Sequence, residues 1–178
     1  MAVTELDMSV WSDSDTHVFN TIVEAELEEI SKARRIVDKF WVHFERSNKA
    51  ILDDKKIGRD SKRKTSVMAP VVERVETTGR YSGRLIWCLF EWKGFQKRNR
   101  NAWKRVPFSK GAYEHTYNPS ILVKHSVGWD TKAILETEAQ LEPIRLTLKN
   151  YQRIIVSMAA KNRRIIKLTQ KRESTYEQ

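Results

Sequence analysis

Apolar residues recur every three or four positions in two long stretches of the chain, one near each end. The first stretch covers residues 15–51 and the second covers residues 131–168. This spacing places the apolar side chains on one face of an α-helix. Ser12–Asp15 supplies N-cap residues before the first stretch, and Asp130 or Thr131 does so before the second. The pattern therefore predicts two long amphipathic helices.

Each predicted helix carries one structural complication. Pro143 lies inside the second helix and lacks the N–H that a helix interior needs. We therefore expect that helix to be kinked or split near Glu142. The first helix, if unbroken, is about 55 Å long, so its apolar face must pack on another long element. That element is either elsewhere in the chain or in a second copy, which leaves a homodimer open.

Between the helices the pattern changes to the alternation that is typical of β-strands. Val71–Thr78 is rich in β-branched residues, and the segment from Gly79 to Gly83 is predicted to be a turn. Leu85–Phe95 carries apolar side chains on both faces, which is typical of a central strand covered by a helix. Trp103–Phe108 is predicted to pair next to it. The sequence thus predicts a three-stranded antiparallel meander.

Together these elements predict an α+β fold. It comprises a long N-terminal helix, the three-stranded antiparallel sheet, a short helix at Pro119–His125 and a long kinked C-terminal helix. We expect the helices to pack on one face of the sheet and against each other. A single domain is predicted over residues 15–172, with a charged connector at 52–70. Residues 1–14 are predicted to be a flexible N-terminus and residues 173–178 a frayed tail.

Composition narrows the class of protein. The chain has 178 residues, of which 40% are hydrophobic and 31% charged, as in soluble globular domains. No apolar run approaches the roughly 18 residues of a membrane span, and the acidic N-terminus is unlike a signal peptide. The single cysteine, Cys88, excludes an internal disulfide and a cysteine-based zinc cluster. We expect a cytoplasmic protein without a cofactor, in which Cys88 is a small buried hydrophobic residue.

The positive charge of the chain is concentrated in its middle third. Residues 58–110 carry 14 Lys and Arg against 4 Asp and Glu, whereas residues 1–57 carry 8 against 12. A localised positive field of this kind indicates a polyanionic partner, most often nucleic acid. Ordinary solubility charge is the alternative interpretation.

The cations are densest around the predicted connection between the second and third strands, where tryptophans lie among them. Lys and Arg side chains there could neutralise phosphates, and Arg and Asn side chains could contact base edges. Tryptophans could stack on unpaired bases, although Trp87 and Trp92 are better explained as sheet core. The predicted DNA-binding residues are Lys93, Lys97, Arg98, Asn99, Arg100, Asn101, Trp103, Lys104, Arg105 and Lys110.

Two other segments supply a second candidate basic patch. Its residues are Lys62, Arg63 and Lys64 in the connector, with Lys161, Arg163, Arg164 and Lys167 late in the second long helix. The connector cations could bind phosphates if that segment orders on binding. A merely solvated connector is the equally simple interpretation.

Catalysis has little support in the sequence. None of the four histidines has the spacing of metal ligands, and no glycine-rich phosphate loop is present. The segment from Tyr113 to Tyr117 contains tyrosines, which are the nucleophiles of DNA-nicking enzymes. Such enzymes also need a metal held by several histidines, and here a single histidine lies between the tyrosines. We therefore expect neither a catalytic residue nor a metal site, and hence not an enzyme.

Three segments carry a resemblance to a known family: EWKGFQKRNRNAWKRVPFSKG, YNPSILVKHSVGWD and ILETEAQLEPIRLTLKNYQRI. Their order, together with DKFWVHF in the first helix, resembles the MobI family of conjugative transfer proteins over residues 20–158. The matching Tyr117, Pro119, Leu122, Trp129, Glu138 and Arg145 are interpreted as structural.

The resemblance implies an accessory protein that binds double-stranded DNA at the origin of transfer. In that role it helps a separate relaxase, within the relaxosome of a plasmid or another mobile genetic element. Two alternatives remain open at this point. One is a transcriptional or architectural DNA-binding protein, and the other is an adaptor that binds proteins through its long helices.

Overall fold

The computed structural model describes residues 11–59, 62–77, 80–90, 103–106 and 115–176. Its elements follow in the order α1 (Asp13–Lys56), β1 (Met68–Thr77), β2 (Arg80–Phe90), β3 (Trp103–Arg105), α2 (Pro119–His125) and α3 (Thr131–Tyr176). The strands form one antiparallel sheet in the order β1–β2–β3, so β2 is central. The predicted α+β fold with two long helices and a short one is confirmed. Residues 91–95 and 107–108, which the sequence assigned to strands, lie outside the described residues.

α1 extends beyond the predicted helix at both ends. The Ser12 hydroxyl caps its start by accepting a hydrogen bond from the Asp15 N–H at 3.1 Å. Acidic residues lie in its first turn, and Lys55 and Lys56 lie in its last, as the helix dipole favours. The charged residues after position 51 therefore continue the helix, and the connector is shorter than the predicted 52–70. It begins after Lys56 and ends before β1 at Met68.

The hairpin of β1 and β2 is tighter than predicted. Thr77 pairs with Arg80 in the register, so residues 80–83 belong to β2 and the turn predicted over Gly79–Gly83 is wrong. Gly83 has a different explanation, which is the close approach of α1. A Cβ atom added to Gly83 would lie 2.9 Å from Cγ1 of Ile30. Glycine inside a strand often marks such an approach of a neighbouring element.

The core lies between the sheet and the two long helices. Leu85 and Trp87 share one face of β2 because side chains alternate along a strand. The ring of Trp87 packs edge-on against Phe40 of α1, with 5.4 Å between ring centroids. Leu85 lies in an apolar cluster with Ile30, Ala33, Val37, Leu141, Ile144 and Leu148. Residues Leu85 to Cys88 are at most 2% exposed, which confirms the prediction of a covered central strand.

β1 forms one outer strand of the sheet and contains Pro70. Proline is tolerated on an edge strand, where its missing N–H is not needed by the ladder. Pro70 is the register partner of Trp87, and its carbonyl accepts a hydrogen bond from the indole Nε1 of Trp41 at 2.9 Å. The helix α1 therefore reaches this edge through Trp41.

α3 passes through Pro143 as one helix and is not split there. Leu141 and Ile144 are buried on either side of the proline, and their packing holds the helix where one backbone hydrogen bond is lost. The helix continues to Tyr176, so residues 173–176 of the predicted tail are helical. None of the helices in the described part of the chain is long and apolar enough to cross a membrane.

Candidate nucleic-acid interface

One end of the sheet brings together two segments that are far apart in sequence. The Phe90 N–H donates to the Val67 carbonyl at 2.6 Å, and Phe90 is also the register partner of Trp103. Val67, which directly precedes β1, thus forms a row with Phe90 and Trp103 across the end of the sheet, about 10 Å wide. Lys64 lies three residues before Val67, and Lys104 follows Trp103 directly. We call Lys62, Arg63, Lys64 and Lys104 the basic end of the sheet.

The side chains of Asn48 and Trp129 hold the connector part of the basic end in place. The Asn48 amide, which is 1% exposed, accepts a hydrogen bond from the Ser66 N–H at 2.8 Å and donates to the Ser66 carbonyl at 3.0 Å. The indole of Trp129 donates to the Lys64 carbonyl at 2.9 Å. The backbone is therefore anchored to α1 and to the start of α3, while the side chains of residues 62–64 are exposed.

β3 carries the described part of the predicted DNA-binding set, which is Trp103, Lys104 and Arg105. Lys104 is exposed, whereas Arg105 forms an ion pair with Glu73 of β1. The Arg105 side chain is still 57% exposed, so Glu73 does not remove it from the surface. The other residues of that set, as well as Trp92, lie outside the described residues: Lys93, Lys97, Arg98, Asn99, Arg100, Asn101 and Lys110.

The late cations of α3 lie at the opposite end of the molecule from the basic end. α3 starts just after Trp129, which contacts Lys64, and Lys161 is about 45 Å further along the helix. There the Lys161 ammonium lies 2.8 Å from both carboxylate oxygens of Asp15, near the start of α1. The structure therefore does not bring the seven residues of the second candidate patch together. The hydrogen bond from Lys161 also lowers the pKa of the Asp15 carboxyl.

Two side chains occupy the edge of β2 beyond the described residues of β3. The Val106 N–H donates to the Trp87 carbonyl at 2.8 Å, and the Trp87 N–H donates to the Tyr117 hydroxyl oxygen at 3.0 Å. Further along the same edge, Nε of Arg145 donates to the Leu85 carbonyl at 3.2 Å. Tyr117 and Arg145 thus satisfy backbone groups that a longer third strand would otherwise satisfy.

A buried ion pair joins this edge to α3. Glu138 and Arg145 meet through two hydrogen bonds, of 3.0 Å from Nη1 to Oε1 and 2.8 Å from Nη2 to Oε2. The Glu138 carboxylate also accepts from the Trp87 indole at 2.8 Å and from the Tyr117 N–H at 3.3 Å. Arg145 donates as well to the carbonyl of His115. The network fixes β2, residues 115–117 and α3 relative to one another.

Sequence reasoning interpreted these residues as structural but did not find their network. A signal was present, because Glu138 and Arg145 are seven residues apart, which is two helical turns, and lie among the apolar positions of α3. Two opposite charges in such a row indicate a buried pair.

Burial also determines the protonation of two groups near the network. It raises the pKa of the Tyr117 hydroxyl to about 12, and that of the Cys88 thiol to about 12. Tyr117 is therefore neutral at physiological pH and 1% exposed, in a position where it binds the backbone of β2. Cys88 is fully buried, which confirms its predicted place in the core.

Comparison with known proteins gives one family. A family model described as MobI protein matches residues 28–159. The match begins inside α1 and ends inside α3, and it includes the basic end of the sheet and the buried network. The late cations of α3 from Lys161 onward lie beyond it. No curated protein and no solved structure gives a significant match to the chain.

Proposed function

The chain belongs to the MobI family, and from that premise we propose that it is a DNA-binding accessory protein of conjugative transfer. Membership of the family makes it a protein related to mobilisation and conjugative transfer. Our proposal is that it recognises the origin of transfer on double-stranded DNA and assists a relaxase in assembling the relaxosome. In this role the protein supplies binding, and the relaxase supplies the nicking chemistry.

The observation that supports DNA binding is the convergence of exposed cations at the basic end. Lys62, Arg63 and Lys64 come from the connector and Lys104 comes from β3, yet the register places them at one end of the sheet. Lys and Arg side chains that contact DNA phosphates release bound counterions, which favours association. Cations from two separate segments can contact phosphates at more than one point along the duplex.

The anchoring of the connector supports recognition as well as attraction. Asn48 and Trp129 fix the backbone on which Lys62, Arg63 and Lys64 are carried. A surface that is held in its bound conformation loses less conformational entropy on binding than a flexible one. In the sequence, Arg98 and Arg100 lie between Phe90 and Trp103, which are register partners at this end of the sheet. In our proposal, Arg98 and Arg100 contact base edges from the segment that connects these two strands.

A mobility-shift experiment tests origin recognition. Duplex DNA containing the transfer origin of the mobile element that encodes the protein is compared with random duplex of equal length, at two salt concentrations. We expect tighter binding to the origin duplex at both. Binding that ignores sequence and disappears with modest salt would overturn the proposal.

A triple variant tests the basic end itself. Replacing Lys62, Arg63 and Lys64 with Gln should weaken binding to both duplexes and flatten its salt dependence, because phosphate contacts are lost. The matched control replaces Arg34, Arg35 and Lys39, three exposed cations on α1, with Gln. If both triple variants lose the same affinity, net charge rather than the basic end accounts for binding.

A further inference from the structure

Basic residues predominate in α3 from Pro143 onward. Residues 143–172 contain nine Lys and Arg and no Asp or Glu. Arg153, Arg164 and Lys171 are 11 and 7 residues apart, which is close to three and two whole helical turns, so they fall in one row along the helix. Arg163 and Lys167 lie beside this row. We call Arg153, Arg163, Arg164, Lys167 and Lys171 the basic ridge, and all five side chains are exposed.

The row of Arg153, Arg164 and Lys171 lies on the side of α3 that points away from the core, and Arg163 and Lys167 flank it. Ile155 and Ala159 are each 1% exposed and are two and six residues after Arg153. At 100° per residue these positions lie on the opposite side of the helix from Arg153. Lys161 is not part of the ridge because Asp15 holds its ammonium.

We propose that the basic ridge is a second DNA contact, which binds the phosphate backbone without regard to sequence. This proposal rests on the proposed function and extends it. From Arg153 to Lys171 the ridge is about 27 Å long, which corresponds to about 8 base pairs of duplex at 3.4 Å each. The ridge binds phosphates through charge, while the basic end of the sheet makes the contact near the base-reading segment.

The ridge fits a duplex better than it fits a lipid surface. A helix that lies on a membrane inserts an apolar face next to its basic one. In α3 the apolar side at Ile155 and Ala159 is already buried, and the exposed Ile154, Val156 and Leu168 lie on both sides of the ridge rather than on one apolar face. The family match ends at residue 159, so four of the five ridge residues lie outside the matched region.

The test compares two triple variants of the full chain. One replaces Arg163, Arg164 and Lys167 with Gln, and the other is the α1 control Arg34→Gln, Arg35→Gln, Lys39→Gln. Both remove three exposed cations, at nearly the same spacing on a helix. Fluorescence anisotropy measures binding to a random-sequence duplex of three helical turns and to the transfer-origin duplex. Circular dichroism checks that each variant keeps its helices.

We expect the ridge variant to have a flatter salt dependence on both duplexes. The loss of three phosphate contacts reduces the slope of log affinity against log salt by about 2.7. Raising the salt from about 50 to 200 mM then weakens binding about 40-fold less than it does in the wild type. The control variant should keep the wild-type slope. If the ridge variant keeps it too, or if the control changes by the same amount, the ridge is not a DNA contact.

Two further outcomes distinguish this proposal from membrane binding and from origin recognition. If the ridge variant loses binding to vesicles of anionic phospholipid while its DNA slope is unchanged, the proposal is overturned in favour of a membrane surface. If wild-type protein shows no preference for the origin but the ridge variant still flattens the slope on random duplex, origin recognition fails while the ridge stands.

Discussion

Replacing Arg145 with Met tests whether the buried ion pair holds the sheet to α3. Methionine has a similar length but no hydrogen-bond donors. The change removes both hydrogen bonds to Glu138 and those to the carbonyls of Leu85 and His115. It leaves the Glu138 carboxylate, whose side chain is only 7% exposed, without its counter-charge.

The expected loss of stability is large for one substitution. Removing one partner of a buried ion pair costs about 3–5 kcal/mol in free energy of unfolding, because the other charge remains buried. For a chain of this size that lowers the melting temperature by roughly 6–20 °C. Adding Glu138→Gln removes the uncompensated negative charge of Glu138. The amide oxygen of the new side chain can still accept a hydrogen bond from the Trp87 indole. We therefore expect the double variant to be about 2 kcal/mol more stable than Arg145→Met alone.

Urea unfolding followed by circular dichroism and tryptophan fluorescence measures these differences by linear extrapolation. The matched control is Lys132→Met, which breaks an exposed pair with Glu136 on the same helix. An exposed pair of this kind contributes about 0–1 kcal/mol. The reasoning is wrong if Arg145→Met costs no more than the control. It is also wrong if Glu138→Gln and Arg145→Met destabilise the protein additively.

Three smaller changes test other contacts. Tyr117→Phe leaves a buried backbone donor of β2 without its acceptor, which should cost about 1–3 kcal/mol at neutral pH. The hydroxyl pKa is about 12 against an ordinary 10.0, so its contribution is complete below pH 10 and is lost as the pH rises towards 12. Between pH 10 and pH 12 the urea midpoint of Tyr117→Phe should therefore fall less steeply with pH than that of the wild type. Asn48→Ala removes both hydrogen bonds to Ser66, so hydrogen exchange should show a faster Ser66 amide than in the wild type. An unchanged exchange rate would contradict the anchoring role of Asn48. Gly83→Ala should cost about 1–3 kcal/mol by crowding Ile30, and adding Ile30→Val should recover part of the loss; equal melting temperatures for wild type and Gly83→Ala would contradict the close approach.

The helices and the central strand could be predicted because their signals are local. Apolar periodicity and N-cap residues give α1 and α3, and α2 matches its predicted bounds of Pro119–His125. The turn prediction at Gly79–Gly83 failed because glycine has two uses. It permits turns, but at Gly83 it permits α1 to approach the strand, and only the tertiary structure distinguishes the two.

The arrangement of the candidate site could not be predicted because it depends on strand register and helix direction. Charge counting found Lys62–Lys64 and the late cations of α3 and grouped them as one patch. The antiparallel packing of α1 and α3 separates them, since Lys161 lies beside Asp15 whereas Lys64 lies beside Trp129. Register in turn places Lys104 near the connector. No pattern within a short stretch of sequence shows that Lys64 and Lys161 are far apart or that Lys104 is near the connector.

The contact between Trp41 and Pro70 limits how copies of this protein can assemble. A second molecule that extends a sheet by adding a strand needs free donors and acceptors along an outer edge. At Pro70 the edge has no N–H to offer, and its carbonyl already accepts from Trp41. A dimer with a sheet that is continuous through this point of β1 is therefore excluded. The exposed faces of α1 and α3 remain as surfaces for self-association, and on α3 a second copy would cover the basic ridge that we propose as a DNA contact.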